Sequence, residues 1–384
     1  MADPEAKSDP GTGLDPGAAA DQAAEADELQ ESLVVLIPRV LGALDHLETI
    51  TRHLHPPRLP ELVASLGPDD DALTAALARV RGAAWPADLE PFRDQIVLAA
   101  ESVLRTHAGL REAAASPAGT IGGYRATRRQ YRAIEALYPL ATALPSVSRF
   151  FIEPARRNDA ALLARIEAAR RPEPDTGVYH FDNETGSRGG FSIYVPEYLT
   201  RDTPVPVVFA LHGGSGHGRV FLWSWLREAR SRGVIVVAPT ATGDTWSLME
   251  SDVDGAHLSR ILAYVREHWS IDPAKLLLSG MSDGGTFTLL SGLDSDSPFT
   301  HLAPVAASFH PMLVTMTEPG RIRGLPVYLV HGALDWMFPI QTGRTANQAL
   351  RMAGANVVFR EIADLSHTYP RDENGAILDW FMMS

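Results

Sequence analysis

Three side chains, Ser282, Asp335 and His367, stand in the chain with the types and order that nucleophilic catalysis needs. A serine alcohol is a poor nucleophile at neutral pH. It needs a base to take its proton, and the base needs a third group to fix its tautomer and stabilise its charge. Ser282 lies in "GMSDGG", residues 280–285, between the aliphatic run "KLLLSG" and an apolar, helix-compatible segment. A serine boxed by glycines between a strand and a helix is what a strained elbow demands, because the backbone there folds tightly against its neighbours. The pentapeptide G-x-S-x-G fixes only three positions, however, and a glycine-rich turn that merely contains serine reads the same way. The rest of the chain must supply the partners.

Asp335 follows the β-branched run "LPVYLVHG", and His367 follows "NVVFREI", so both fall just past the C-terminal ends of expected strands, the edge where open α/β sheets place their sites. An earlier strand, "VPVVFALH", ends in His212-Gly213-Gly214. Amides of Gly213 and Gly214, with that of Asp283 after the serine, are positioned to hold a developing oxyanion, assisted by the N-terminus of the helix that follows. Asp283 itself is set aside as the acid, because adjacent residues on an elbow point apart. His331 belongs to an "HG" turn and is assigned a structural role, whereas His310 at another strand end is a candidate pocket residue. Trp246, Trp336, Phe338 and Tyr369 fall in loops of the same edge, either as an apolar wall for a substrate or as packing of loops onto the sheet.

The elements that must position these residues are legible as a change of pattern. From 29 to 172 apolar residues recur at three and four positions, as in "LQESLVVLIPRVLGALDHLETITRHL", which predicts an all-helical region, with "HPPRLP" and "GTIGG" as breakers. From 176 to 384 short β-branched runs alternate with amphipathic segments, which predicts an α/β catalytic domain with a mostly parallel eight-stranded sheet. Strands are expected at 178–181, 189–196, 205–212, 234–240, 275–280, 304–310, 325–332 and 356–362. Residues 1–28, rich in Ala, Gly, Pro and Asp, are expected to form a disordered acidic tail.

Charge and composition narrow the function. The net charge is −13, but eight acids against Lys7 alone fall in the first 30 residues, leaving the remainder mildly acidic and without the basic stripe that nucleic acid requires. There is no cysteine, which removes disulfides, thiolate catalysis and zinc ribbons together. The N-terminus has neither the basic nor the apolar region of a secretory leader, and no apolar run approaches the roughly 18–20 residues that span a bilayer; a soluble, cytoplasmic protein is expected. His53 and His55, two apart before a proline turn, read as a solvated helix end rather than a metal site, and "SDVDG" at 251–255 as a helix cap by Ser251 or Asp252 rather than a calcium loop.

With "LHGGSG", "IDPAKLLLSGMSDGG", "HGALDWMFP" and "SHTYP" in place, residues 176–384 resemble an α/β-hydrolase of the serine esterase type, similar to phospholipase/carboxylesterase and polyhydroxybutyrate-depolymerase-like esterases. The resemblance implies a Ser-His-Asp triad hydrolysing a small-molecule carboxylic ester through an acyl-enzyme, with no cofactor and no metal. Secreted members with leaders and disulfides act on extracellular polymers, a substrate this cysteine-free chain does not suggest. Two other readings compete: a peptidase or amidase of prolyl-peptidase type, which uses the same order of residues, and a non-catalytic scaffold whose helical region binds partners. Region 29–172 lies outside the resemblance; binding a partner, forming a homo-oligomer and lidding the site are all open to it.

Overall fold

The computed structural model describes residues 16–116, 119–169, 174–200, 202–249 and 252–384. Eight helices come first: α1 (Pro16–Arg52), α2 (Leu59–Ala64), α3 (Asp71–Gly82), α4 (Glu90–Ala115), α5 (Gly119–Arg128), α6 (Gln130–Leu137), α7 (Pro145–Phe150) and α8 (Ala160–Ala168). Most of the expected tail, 1–15, lies outside the described residues, but 16–28 is helical rather than disordered. The alanine-rich stretch has high helix propensity, and extending a helix already nucleated downstream fixes one residue per hydrogen bond gained. The second departure is α5, which runs through the expected breaker "GTIGG". Its glycines are packing devices: a Cβ on Gly123 would lie 3.2 Å from Leu59 Cδ1 and one on Gly122 3.2 Å from the Ala113 Cβ, so their absence lets α5 lie against α2 and α4.

The remaining chain forms one sheet of β1 (Gly177–Phe181), β2 (Phe191–Val195), β3 (Val205–Leu211), β4 (Ile235–Pro239), β5 (Ile271–Met281), β6 (His301–Val305), β7 (Pro326–Gly332) and β8 (Asn356–Ile362). Its order is β1-β2-β4-β3-β5-β6-β7-β8, with β2 antiparallel to both neighbours and all later pairs parallel. Between and after the strands lie α9 (Gly218–Phe221), α10 (Leu226–Arg232), α11 (Val253–His268), α12 (Asp283–Gly292), α13 (Met312–Met316), α14 (Pro319–Ile322), α15 (Ile340–Met352) and α16 (Asn374–Met383). The sixth strand sits at 301–305 instead of 304–310, because pairing with β5 sets Leu277 opposite His301 and the chain leaves the sheet at Ala306, whose φ is 46°.

Alternation along the strands builds two layers of core. Val207, Phe209 and Leu211 pack with Leu258 and Leu262 of α11, Phe287 of α12 and Leu350 of α15. Val208 and Ala210 face the other way, toward Trp223, Trp225, Leu226 and Phe381, and that layer continues without interruption into Leu44, Leu47 and Ile50 of α1 and Ile134 and Leu137 of α6. Helical region and sheet therefore share one apolar interior. No helix among the described residues is long and apolar enough to cross a membrane.

Candidate active site

Ser282 sits between β5 and α12 with φ 55° and ψ −118°, a left-handed backbone that a non-glycine residue adopts only under strain. Its amide donates to the Val305 carbonyl at 2.9 Å, and its carbonyl accepts from the Thr286 amide at 2.8 Å, so sheet and helix hold the strain between them. The flanking glycines are sterically required. A Cβ at Gly284 would come within 2.5 Å of the Leu211 carbonyl oxygen, one at Gly285 within 2.6 Å of the Val305 oxygen, and one at Gly280 within 2.5 Å of the Gly284 carbonyl carbon.

The elbow presents Ser282 Oγ 3.0 Å from His367 Nε2, and His367 Nδ1 lies 2.9 Å from Asp335 Oδ2. The other carboxylate oxygen, Oδ1, accepts from the amides of Met337 at 2.9 Å and Phe338 at 2.8 Å, and the Asp335 side chain is fully buried. A buried carboxylate so bonded is fixed in place, with Oδ2 left to receive the imidazole N–H. That donation leaves Nε2 as an acceptor for the serine hydroxyl. His331, the other imidazole nearby, donates from Nε2 to the Phe338 carbonyl at 2.8 Å and braces the acid loop.

The turn after β3 lies alongside: Cβ atoms at Gly213 and Gly214 would stand 3.6 Å from Ser282 Cβ and 2.6 Å from Asp283 Oδ2. His212 organises this turn. Its Nδ1–H donates to the Gly213 carbonyl at 2.7 Å and its Nε2 accepts from the Ala241 amide at 3.1 Å, while its own carbonyl accepts from Trp246 Nε1 at 2.7 Å. Burial pushes the imidazole down to about 4, so it is neutral here and both nitrogens keep these roles. Asp283, excluded as the acid, accepts from Thr245 Oγ1 at 2.6 Å and ties the neighbouring loop to the elbow.

The model of the phospholipase/carboxylesterase family matches residues 256–382, the stretch that carries Ser282, Asp335 and His367. With the strand order and the elbow, this gives the fold class. The chain has an α/β-hydrolase fold. Among curated proteins, this chain is 26% identical over 162 residues to a bifunctional acetylxylan esterase/xylanase of Neocallimastix patriciarum, a match covering 41% of this chain and 23% of that one. It is 26% identical over 139 residues to acyl-protein thioesterase 1 of Gibberella zeae, covering 34% and 59%. It thus spans less than two thirds of either relative. Among solved structures it resembles a thermostable esterase, with TM-score 0.44, 18% identity, and coverage of 54% and 63%.

Of the aromatic candidates, two flank His367: the rings of Phe338 and Trp336 stand 5.3 and 6.4 Å from its imidazole. Three other pocket candidates serve elsewhere. Trp246 is a core residue, buried between His212 and Phe287 beneath the turn. Tyr369 packs on Phe221 and Trp225 and donates its hydroxyl to Asn374 Oδ1 at 2.6 Å. His310 is exposed and accepts from the Met312 amide at 3.2 Å, at the start of α13. At "SDVDG", Asp252 caps α11 by accepting from the Gly255 amide at 2.7 Å.

Sequence reasoning missed what the helical region brings. Trp336 Nε1 donates to Tyr124 OH at 3.3 Å, and Arg128 donates to the carbonyls of Ser215 at 3.1 Å and Gly214 at 3.5 Å. His55 is not a solvated helix end: its Nδ1 lies 2.9 Å from Ser366 Oγ, beside the base. No sequence signal marks these residues, because each is defined only by a contact across the fold.

Proposed function

We propose that this hydrolase cleaves carboxylic esters, with Ser282 as nucleophile, His367 as general base and Asp335 as its orienting acid. The observation that carries the reading is the unbroken path from Ser282 Oγ through His367 to Asp335 Oδ2, at 3.0 and 2.9 Å, on a positive-φ elbow. Ser282 Oγ attacks the ester carbonyl as His367 Nε2 takes its proton, and the imidazolium is stabilised by Asp335. The oxygen of the tetrahedral intermediate is received by amides of Asp283 and the Gly213-Gly214 turn, each donor worth roughly 10²- to 10³-fold in rate. His367 then protonates the leaving alcohol. Water, activated by the same imidazole, releases the acid from Ser282 and restores the enzyme. Both curated relatives carry esterase or thioesterase names, which accords with hydrolysis of an ester bond.

Hydrolysis of nitrophenyl esters of graded acyl length by wild type and Ser282→Ala tests this. Wild type is expected to turn over, with the variant folded and slower by roughly four orders of magnitude or more. Full activity in Ser282→Ala removes the assignment. A folded wild type that cleaves a proline amide but no ester replaces it with the peptidase reading.

A further inference from the structure

His367 sits on a loop, and little within the sheet holds it. The last backbone bond to another part of the site is that of the Leu334 amide to the Leu365 carbonyl, at 2.9 Å. Beyond it the loop's own backbone bonds are local, Thr368 to Ser366 at 2.9 Å and Arg371 to Tyr369 at 3.1 Å. Leu365, Ser366, His367 and Thr368 are buried, but the loop's own backbone bonds do not by themselves set its aim. A general base must nonetheless be aimed within a fraction of an ångström.

The ties come from the end of α1. Thr368 Oγ1 donates to the Thr51 carbonyl at 2.8 Å, which gives a helix-terminal carbonyl a side-chain donor. His55 Nδ1 meets Ser366 Oγ at 2.9 Å, so the residues on either side of His367 are both held from outside the sheet. Arg52, its side chain 15% exposed, spans the loop: Nε lies 2.9 and 3.0 Å from the two Asp372 oxygens, and Nη2 lies 3.2 Å from Asp364 Oδ1. Arg371 Nη1 reaches Glu48 Oε2 at 3.4 Å. Between 364 and 372 the loop is thus gripped at five residues by one segment, Glu48–His55.

We infer that this segment of the helical region positions the catalytic base, with Arg52, His55 and the Thr51 carbonyl acting through the loop rather than on substrate. The inference rests on the esterase reading for its kinetic consequence, but not for its structural one. It gives the helical region a role within the active site.

The test uses the full chain with Arg52→Ala, Arg52→Lys, Thr368→Val and Thr368→Ser. Thr368→Val keeps the shape and removes the donor, whereas Thr368→Ser keeps the donor. For nitrophenyl acetate, kcat is expected to fall roughly tenfold in Arg52→Ala and Thr368→Val with KM within about twofold, as misaimed catalysis predicts. Thr368→Ser stays near wild type. Amide exchange in 363–370 is expected to accelerate in the same two variants while that of β5 and α12 is unchanged. Wild-type kcat and wild-type loop exchange in both variants overturn the inference, and so does a loss as large in Thr368→Ser as in Thr368→Val. Should Thr368→Val not fold, Arg52→Lys reads the same way, since a lysine ammonium loses the planar guanidinium's bidentate hold on Asp372: slower turnover with faster loop exchange supports the inference, and no change in either overturns it. If wild type hydrolyses no ester, yet loop exchange still responds to Arg52→Ala, the proposed activity fails and the clamp stands.

Discussion

Gly284 shows how tightly the elbow is built. A methyl group there meets the Leu211 carbonyl oxygen at 2.5 Å, a backbone atom that cannot swing aside. Gly284→Ala is therefore expected to cost about 3 kcal/mol, the upper part of the range for overpacking, and to depress kcat by displacing the turn that ends in Gly213-Gly214. Gly42 in α1 provides the contrast, because nothing stands within 4 Å of its added Cβ. Gly42→Ala should stabilise by about 0.5–1 kcal/mol through helix propensity alone. Urea unfolding of both variants checks the pair; a neutral Gly284→Ala would show that the elbow has room. That Ser282, Asp335 and His367 come together was legible from sequence, because their types suit one another and glycines and strand ends fix their places. Trp246 and Tyr369 were not, because an aromatic in a loop looks the same whether it faces a pocket or, like Trp246 beneath His212, the core.

At the scale of elements, the turn after β3 depends on a neutral histidine. His212 is buried and holds its proton only to about 4, against about 6.5 for a free imidazole. Between those values the unfolded chain binds a proton that the folded chain does not, so stability rises with pH there. The contribution is fully present above about 6.5 and is lost as pH falls toward 4, at up to about 1.4 kcal/mol per pH unit for one proton. His301, also pushed down to about 4 by burial, adds a second such term in the same window. The melting temperature should therefore drop from pH 6.5 to 4, and the drop should be shallower by about one proton in His212→Asn. An equal slope in the variant would mean that His212 takes up its proton equally in the folded and unfolded chain, so that burial does not hold it neutral. The strands that carry the site were legible because parallel strands buried on both faces are uninterrupted apolar runs. The sixth strand and α5 were misplaced for a common reason: pairing with β5 and packing on α4 decided them, and local sequence did not.

For the whole molecule, the question is whether the helical region and the sheet unfold together. The apolar layer runs from α1 and α6 into Val208, Val236 and Val330 of the sheet without a break. Charges cross the same boundary: Arg227, its side chain 2% exposed, donates to Glu48 Oε2 at 2.7 Å and lies over the Phe150 ring with Cζ 3.8 Å from its centre. Burial pulls the Arg227 guanidinium down to about 10, still charged at neutral pH, and Arg371, Arg227 and Arg157 hold the Glu48 carboxyl below its ordinary value against the opposing effect of burial. Removing Arg227 takes the nearest cation from Glu48, which keeps Arg371 at 3.4 Å. Arg227→Met keeps most of the apolar stem, so its cost, about 2 kcal/mol after allowing for the partial exposure of Glu48, measures the lost charge rather than lost packing. Scanning calorimetry of wild type should show a single transition whose calorimetric and van't Hoff enthalpies agree, and Arg227→Met should move that transition down without splitting it. Two transitions in wild type would mean that the helical region can leave the sheet while the sheet stays folded. The segment Glu48–His55 would then be free to release the His367 loop under native conditions, and loss of the proposed esterase activity on heating would track the first transition instead of the second.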